Sequence, residues 1–221
     1  MNEFRQSILT NDNYYDISPV LESKTATFPG DQTYQRNIKL DTRKGDHITL
    51  SSIHTTLHLG SHADAPLHYN ADGKSIEQVD LSYFLGPCQV IGVEKDKSSR
   101  IFPQDLPTQN ILAPRVLFRT NSFANPCAWN SDFTALSPEL IQFLAQSKVC
   151  LVGVDTPSVD LADDKVLRSH HAIFEHNMVI LEGLLLKNVP DGVYTLVALP
   201  LRLKDGDASP VRAILMKEKI Q

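Results

Sequence analysis

Residues 57–69 read Leu-His-Leu-Gly-Ser-His-Ala-Asp-Ala-Pro-Leu-His-Tyr. Three histidines and an aspartate fall within eleven residues, in a chain with eight histidines in all. Imidazole and carboxylate together suit zinc, manganese or iron, and no cysteine competes nearby. His58 and His62 have the spacing of two ligands on one helix face, but Gly60 between them and Pro66 beyond argue against a helix. In an extended chain His58, His62, Asp64 and His68 share one parity and can point to one side. Gly60 permits a bulge or close backbone approach, and Pro66 turns the chain, so strict alternation need not reach His68. His54 has the same parity, but Ile53 and Thr55 around it read as plain strand. A single histidine here would be more often a polar loop residue than a ligand. Three with an aspartate read as a site.

The rest of such a site must come from elsewhere in the chain. Glu182 closes the apolar run from Met178 to Leu181, where a carboxylate is costly unless it is solvated or paired with a cation. An exposed strand end before Gly183 is the plainer reading, and the residues alone leave the two even. His170 and His171 lie about one turn and one strand upstream, and one of them can face the same site. His176, beside Asn177, reads as a solvated turn residue. Asp155 in "VDTPS" follows an apolar strand, a place where binding groups often sit, yet Asp-Thr-Pro-Ser is also ordinary turn chemistry. Asp205 and Asp207 in "LKDGDASP" likewise read as a turn.

These residues need elements to hold them. "HITLSSIHTTLHL", "CQVIGVE", "RVLFRT", "VCLVGVD", "MVILE", "VYTLVALPL" and "VRAILM" read as strands, mostly buried. "SPELIQFLAQ" opens with a capping Ser and a Pro at the first helical position and predicts a helix. "DDKVLRSHHAIFEHN" predicts a second. Strands outnumber helices and few alternate with them regularly. The pattern predicts an α+β fold with a mixed sheet rather than a doubly wound parallel one.

Composition narrows the function classes. A chain of 221 residues that is 42% hydrophobic suits one domain over residues 1–221. The net charge is −5 and no basic run stands out, which argues against nucleic acid and anionic membranes as partners. The polar start "MNEFRQSILTNDNYY" lacks the layout of a signal peptide, and no apolar run approaches the roughly 18 residues that span a bilayer. Cys88, Cys127 and Cys150 are odd in number and widely spaced. They read as free thiols, and a reducing cytoplasm follows by default.

"HLGSHADAPLH" resembles the His-x-Gly-Thr/Ala-His-x-Asp-x-Pro-x-His motif of the metal-dependent cyclase-like hydrolases. The resemblance covers nearly the whole chain. "YDISPVLESKTATFPGD", "YFLGPCQVIGV", "LVGVDTPSVD", "MVILEGLLL", "YTLVALPLRL" and "DASPVRAIL" are similar to that family's segments in order, and the ensemble points to its arylformamidase branch. The resemblance implies a layered, swivelling β/β/α fold and a homodimer. It implies a two-metal site, usually zinc, with manganese as an alternative. His58, His62, Asp64, His170 and Glu182 would be the ligands, with Asp64 bridging, and His68 the acid/base. Phe28 stands where relatives commonly carry Trp and would touch the substrate. "LADDKVLRS" departs from the family's usual wording.

The implied reaction is hydrolysis of N-formyl-L-kynurenine to L-kynurenine and formate, a step of tryptophan degradation. Five protein ligands exceed what one tetrahedral zinc takes, and two carboxylates suit a metal pair roughly 3.5–4 Å apart. An aniline-type nitrogen leaves poorly as an anion and needs a proton. His68, with an ordinary pKa of about 6.5, suits that transfer. Another amide or cyclic-amide hydrolase of the family is the nearest alternative. A structural zinc protein is the alternative from a different class.

Overall fold

The computed structural model describes residues 13–217. The first residues of the polar amino-terminal run lie outside it. Thirteen strands are described: β1 (Tyr14–Asp16), β2 (Gln35–Leu40), β3 (Leu50–His54), β4 (His62–Asp64), β5 (Leu85–Gly92), β6 (Arg100–Ile101), β7 (Arg115–Arg119), β8 (Ala135–Leu136), β9 (Leu151–Val154), β10 (Val179–Glu182), β11 (Gly192–Val197), β12 (Ala208–Pro210) and β13 (Ile214–Lys217). Two α-helices join them, α1 (Pro138–Gln146) and α2 (Arg168–Glu175). Nine strands form one mixed sheet in the order β1-β13-β11-β5-β7-β9-β10-β4-β12. Its centre, β5-β7-β9-β10, is parallel, and antiparallel strands extend both sides. The expected α+β class with a mixed sheet is what the chain adopts.

The strand period of two sorts the core into two layers. Leu117, Leu151 and Leu181 point to one face, where they join Phe84, Leu196 and Leu215. Val116, Phe118, Val152, Val154 and Ile180 point to the other, under α1 and α2. These central strands are buried on both faces, which is why they read as continuous apolar runs. Glu182 has the parity of Ile180 and so faces the helical layer.

Helix α1 begins as its sequence predicts, with the Ser137 side chain accepting from Leu140 N–H at 3.0 Å and Pro138 in the first turn. Helix α2 is shorter than predicted. Residues 163–167 stay outside it because the Asp164 side chain accepts from Val166 N–H and Leu167 N–H, and Leu167 adopts φ 54°. Fully buried Ile173 anchors α2 to the sheet, a burial worth about 1.5–3 kcal/mol. That anchor fixes the helix bearing His170.

One strand reading needs correction. "HITLSSIHTTLHL" is not one long, mostly buried strand. Only Leu50–His54 is strand, and it is exposed, paired with β2 in a separate two-stranded ribbon. The chain leaves the ribbon at Thr55, so His58 lies in a turn and His68 ends a short 3₁₀ turn after Pro66. Shared parity therefore holds for His62 and Asp64 alone.

Candidate metal centre and active site

Strand β4 is only three residues long, and two of them carry the chemistry. His62 and Asp64 point to the helical side. Antiparallel pairing with β10 sets Glu182 opposite His62 and Ile180 opposite Asp64. Residues directly opposite share a face, so Glu182 joins His62 and Asp64 across the ladder. The turn before β4 brings His58 to the same spot, and the first turn of α2 brings His170.

Asp64 is the centre. His58 Nδ1 is 3.1 Å and His62 Nε2 3.4 Å from its Oδ1, and His170 Nε2 is 3.5 Å from its Oδ2. Glu182 spans two of the same rings, at 3.3 Å from His62 Nε2 and 3.7 Å from His170 Nε2. The outer nitrogen of each ring faces an acceptor. His62 Nδ1–H donates to Gly60 C=O at 3.0 Å, His170 Nδ1–H to Asp160 at 2.8 Å, and His58 Nε2–H to Asp207 at 3.0 Å. A carbonyl or carboxylate can only accept, so each outer nitrogen carries a proton, and the inner nitrogen is the one that faces Asp64.

The donor set fits a metal. Both Asp64 oxygens and His62 Nε2 are buried without a hydrogen-bond partner. Such atoms are costly unless a cation meets them. Asp64 belongs to two overlapping groups of potential ligands, His58–Asp64–His68 and His62–Asp64–Glu182. The charges agree. Burial disfavours protonated His62, yet the nearby carboxylates of Asp64 and Glu182 outweigh it and push its pKa up to about 10. His170 also reaches about 10, because Asp160 and Asp64 outweigh its burial. Burial raises Asp64, but His170, His58 and His62 hold it well below the carboxylate range. Two buried carboxylates thus gather positive charge, which protons or a metal ion can supply.

Second contacts fix the rings. Asp160 accepts from Ser169 N–H and His170 N–H at the start of α2 and is gripped by Arg100 at 2.8 Å. Gly60 (φ 61°) and Gly183 (φ 65°) let the β4 and β10 ends approach, and a Cβ on Gly183 would lie 2.2 Å from Gly60 O. Gly183→Ala is therefore expected to cost about 2 kcal/mol or more through the left-handed conformation and the backbone clash. A thermal melt should show Tm lower by several degrees.

His68 stands at the mouth. Its side chain is 35% exposed, its ring centroid is 4.1 Å from that of His58, and its Nδ1 is 3.7 Å from Asp207. Burial holds its pKa below the usual histidine value. Beyond it opens a cavity of about 260 Å³ with Phe28, Phe123 and Trp129 on its wall. Phe28 is 39% exposed and its ring centre lies 4.6 Å from that of Trp129.

The six polar residues that the resemblance implies, and Phe28, line or adjoin this one cavity. His171, His176 and His54 are exposed. Asp155 holds a loop, accepting from Thr120 and Asn121. Asp205 sits in a turn as expected, but Asp207 does more, because it meets both His58 and His68. Asp160 and Trp129 were also missed. A buried Asp ten residues before a ligand-type histidine carries no local signal. Trp129, the one tryptophan of the chain, offered a weak one.

The Cyclase family profile matches residues 15–161. Over 202 residues the chain is 46% identical to the kynurenine formamidase of Bordetella petrii, covering 91% of this chain and 96% of that protein. The kynurenine formamidase of Polaromonas naphthalenivorans is 43% identical over 91% of this chain and 89% of its own length. A solved structure described as a potential metal-dependent hydrolase with cyclase activity superposes with a TM-score of 0.80 at 27% identity, covering 93% of this chain and 98% of that one.

Proposed function

Because the chain belongs to the Cyclase family, a family of metal-dependent hydrolases, we propose that it hydrolyses N-formyl-L-kynurenine to L-kynurenine and formate. The observation that carries this reading is the buried Asp64 amid three imidazoles, with His68 and an aromatic wall facing the same cavity. His58, His62, Asp64, His170 and Glu182 would hold two zinc ions, and manganese would fit the same donors. When bound, such ions polarise a carbonyl and lower the pKa of water toward about 7.

The chain's own groups do the rest. Phe28 and Trp129 seat the aryl ring so that the formyl group reaches the carboxylate–imidazole cluster. Water adds to the formyl carbon, the C–N bond breaks, and the aniline nitrogen leaves with a proton. His68 delivers that proton. Its lowered pKa keeps the ring neutral near pH 7, ready to take a proton from the attacking water and pass it on. Asp207 beside Nδ1 orients the ring.

The test is to mix metal-loaded protein with N-formyl-L-kynurenine and follow kynurenine absorbance. Hydrolysis is expected. Turnover of a cyclic amide instead, with none of the formamide, would move the chain to the cyclic-amide alternative.

A homodimer in the cytoplasm completes the proposal. Among the described residues no helix is long and apolar enough to cross a membrane. Three free thiols suit a reducing compartment. The β2–β3 ribbon exposes Ile38 and Ile53, which its register sets on one face, and Ile53 is 61% exposed. Apolar side chains gathered on an exposed ribbon suit burial against a second copy. Ile53→Lys is expected to shift the protein toward monomer in light scattering.

A further inference from the structure

Among the proposed ligands only His170 is carried by a helix, and that helix starts without a side-chain cap of its own. Leu167, the residue before α2, adopts φ 54° and offers the first turn no acceptor. Asp160 takes that part from outside the helix. It accepts from Ser169 N–H at 3.0 Å and from His170 N–H at 3.1 Å. The same carboxylate accepts from His170 Nδ1–H at 2.8 Å. Backbone and ring of one ligand thus hang on one fully buried aspartate.

Asp160 is held in turn from its far side. Arg100, on β6, reaches it with Nη1 at 2.8 Å, and the same nitrogen meets Ser169 Oγ at 2.9 Å and Leu136 C=O at 2.6 Å. Its other terminal nitrogen pairs with Asp164 in the loop before α2. The parallel pairing of β6 with β8 and the full burial of Ile101 fix the backbone from which Arg100 starts. The other two imidazoles have no such chain behind them. His62 Nδ1–H donates to Gly60 C=O, two residues away, and the carboxylate on His58 belongs to Asp207, whose side chain is 47% exposed. Arg100 does not line the substrate cavity.

We propose that Arg100 is a positioning residue for the metal centre, locking Asp160 so that His170 keeps a proton on Nδ1 and presents Nε2 to a metal ion. The inference rests on the metal-dependent hydrolase reading and adds a determinant of metal affinity outside the ligand set. A carboxylate with no exposure needs a cation beside it, and among the described residues Arg100 is the permanent cation that meets Asp160. With Asp160 held, His170 has one tautomer and one ring orientation, and neither has to be selected when the metal binds. Without Arg100 the carboxylate is free to turn off Nδ1, and the ring with it.

Zinc affinity of the full chain, read by competition with a chromophoric chelator, tests this without any turnover. Arg100→Met is expected to bind zinc about tenfold more weakly. Asp160→Asn should lose about 10–100-fold, because an amide can turn an N–H toward Nδ1 and leave the ring proton on Nε2. Arg100→Lys keeps the charge and should recover part of the loss. Asp164→Asn removes the other ion pair of Arg100 and should leave zinc affinity near that of the wild type. Should the metal-free melt show that Arg100→Met does not fold, Arg100→Lys decides, with an expected affinity between those of the wild type and Asp160→Asn. Unchanged zinc affinity in the folded Arg100 and Asp160 variants, or an equal loss in Asp164→Asn, would overturn the positioning role while leaving the metal centre intact. A wild-type chain that binds no zinc would overturn both.

Discussion

Asp64→Asn is expected to purify without stoichiometric metal and to lose turnover by on the order of a thousandfold or more. Asparagine keeps the shape and one acceptor oxygen but loses the charge. Asp64 is the group that three imidazole nitrogens surround at 3.1–3.5 Å, and it belongs to both candidate ligand sets. Removing its charge leaves each set incomplete. Elemental analysis reads the metal directly. Thermal melts give a second, activity-free readout. In the wild type, metal at about 100 times its Kd should stabilise by about 2.7 kcal/mol, which is on the order of 5–10 °C for a chain of this size. Asp64→Asn should show little of that shift, and Glu182→Gln an intermediate one. A variant with full metal content would remove Asp64 from the centre of the site. Acid should mimic the substitution, because metal competes with the protons that carboxylates hold on His62 and His170.

How much of this was legible in the sequence depends on how local each cause is. His62 and Asp64 needed only the strand period. Glu182 ended an apolar run, an oddity that left a site and an exposed strand end equally open until β10 set it opposite His62. The cap of α1 was fully written in Ser137 and Pro138. His58 and His68 were placed by turns that strand parity cannot describe. The exposed β2–β3 ribbon misled because β-branched residues favour strands whether or not a core covers them. Asp160 and Asp207 reach their histidines across 10 and 149 residues of chain, and no periodicity encodes such a contact. Trp129 meets Phe28 only because two loops fold over one cavity. That places an indole and a phenyl ring from two different loops on one cavity wall.

His68→Ala is expected to keep its metal and lose kcat by about 10²–10⁴-fold. The range is that of a positioned general acid, and the geometry supports the role. His68 lies at the cavity mouth, partly exposed, beside His58 rather than within the buried cluster. Its proton matters most when the leaving nitrogen is basic. Formanilides with electron-withdrawing ring substituents leave more readily as anions, so the variant should lose far less activity on them than on N-formyl-L-kynurenine. That selective recovery is one that damage to the fold or to metal binding would not produce. His68 also shares a potential ligand group with His58 and Asp64. If His68→Ala stripped the metal and lost activity equally on every anilide, His68 would be a ligand and the proton would have to come from elsewhere. Asp207 would then be the next group to test, since it meets both His58 and His68 from the outer side of the site.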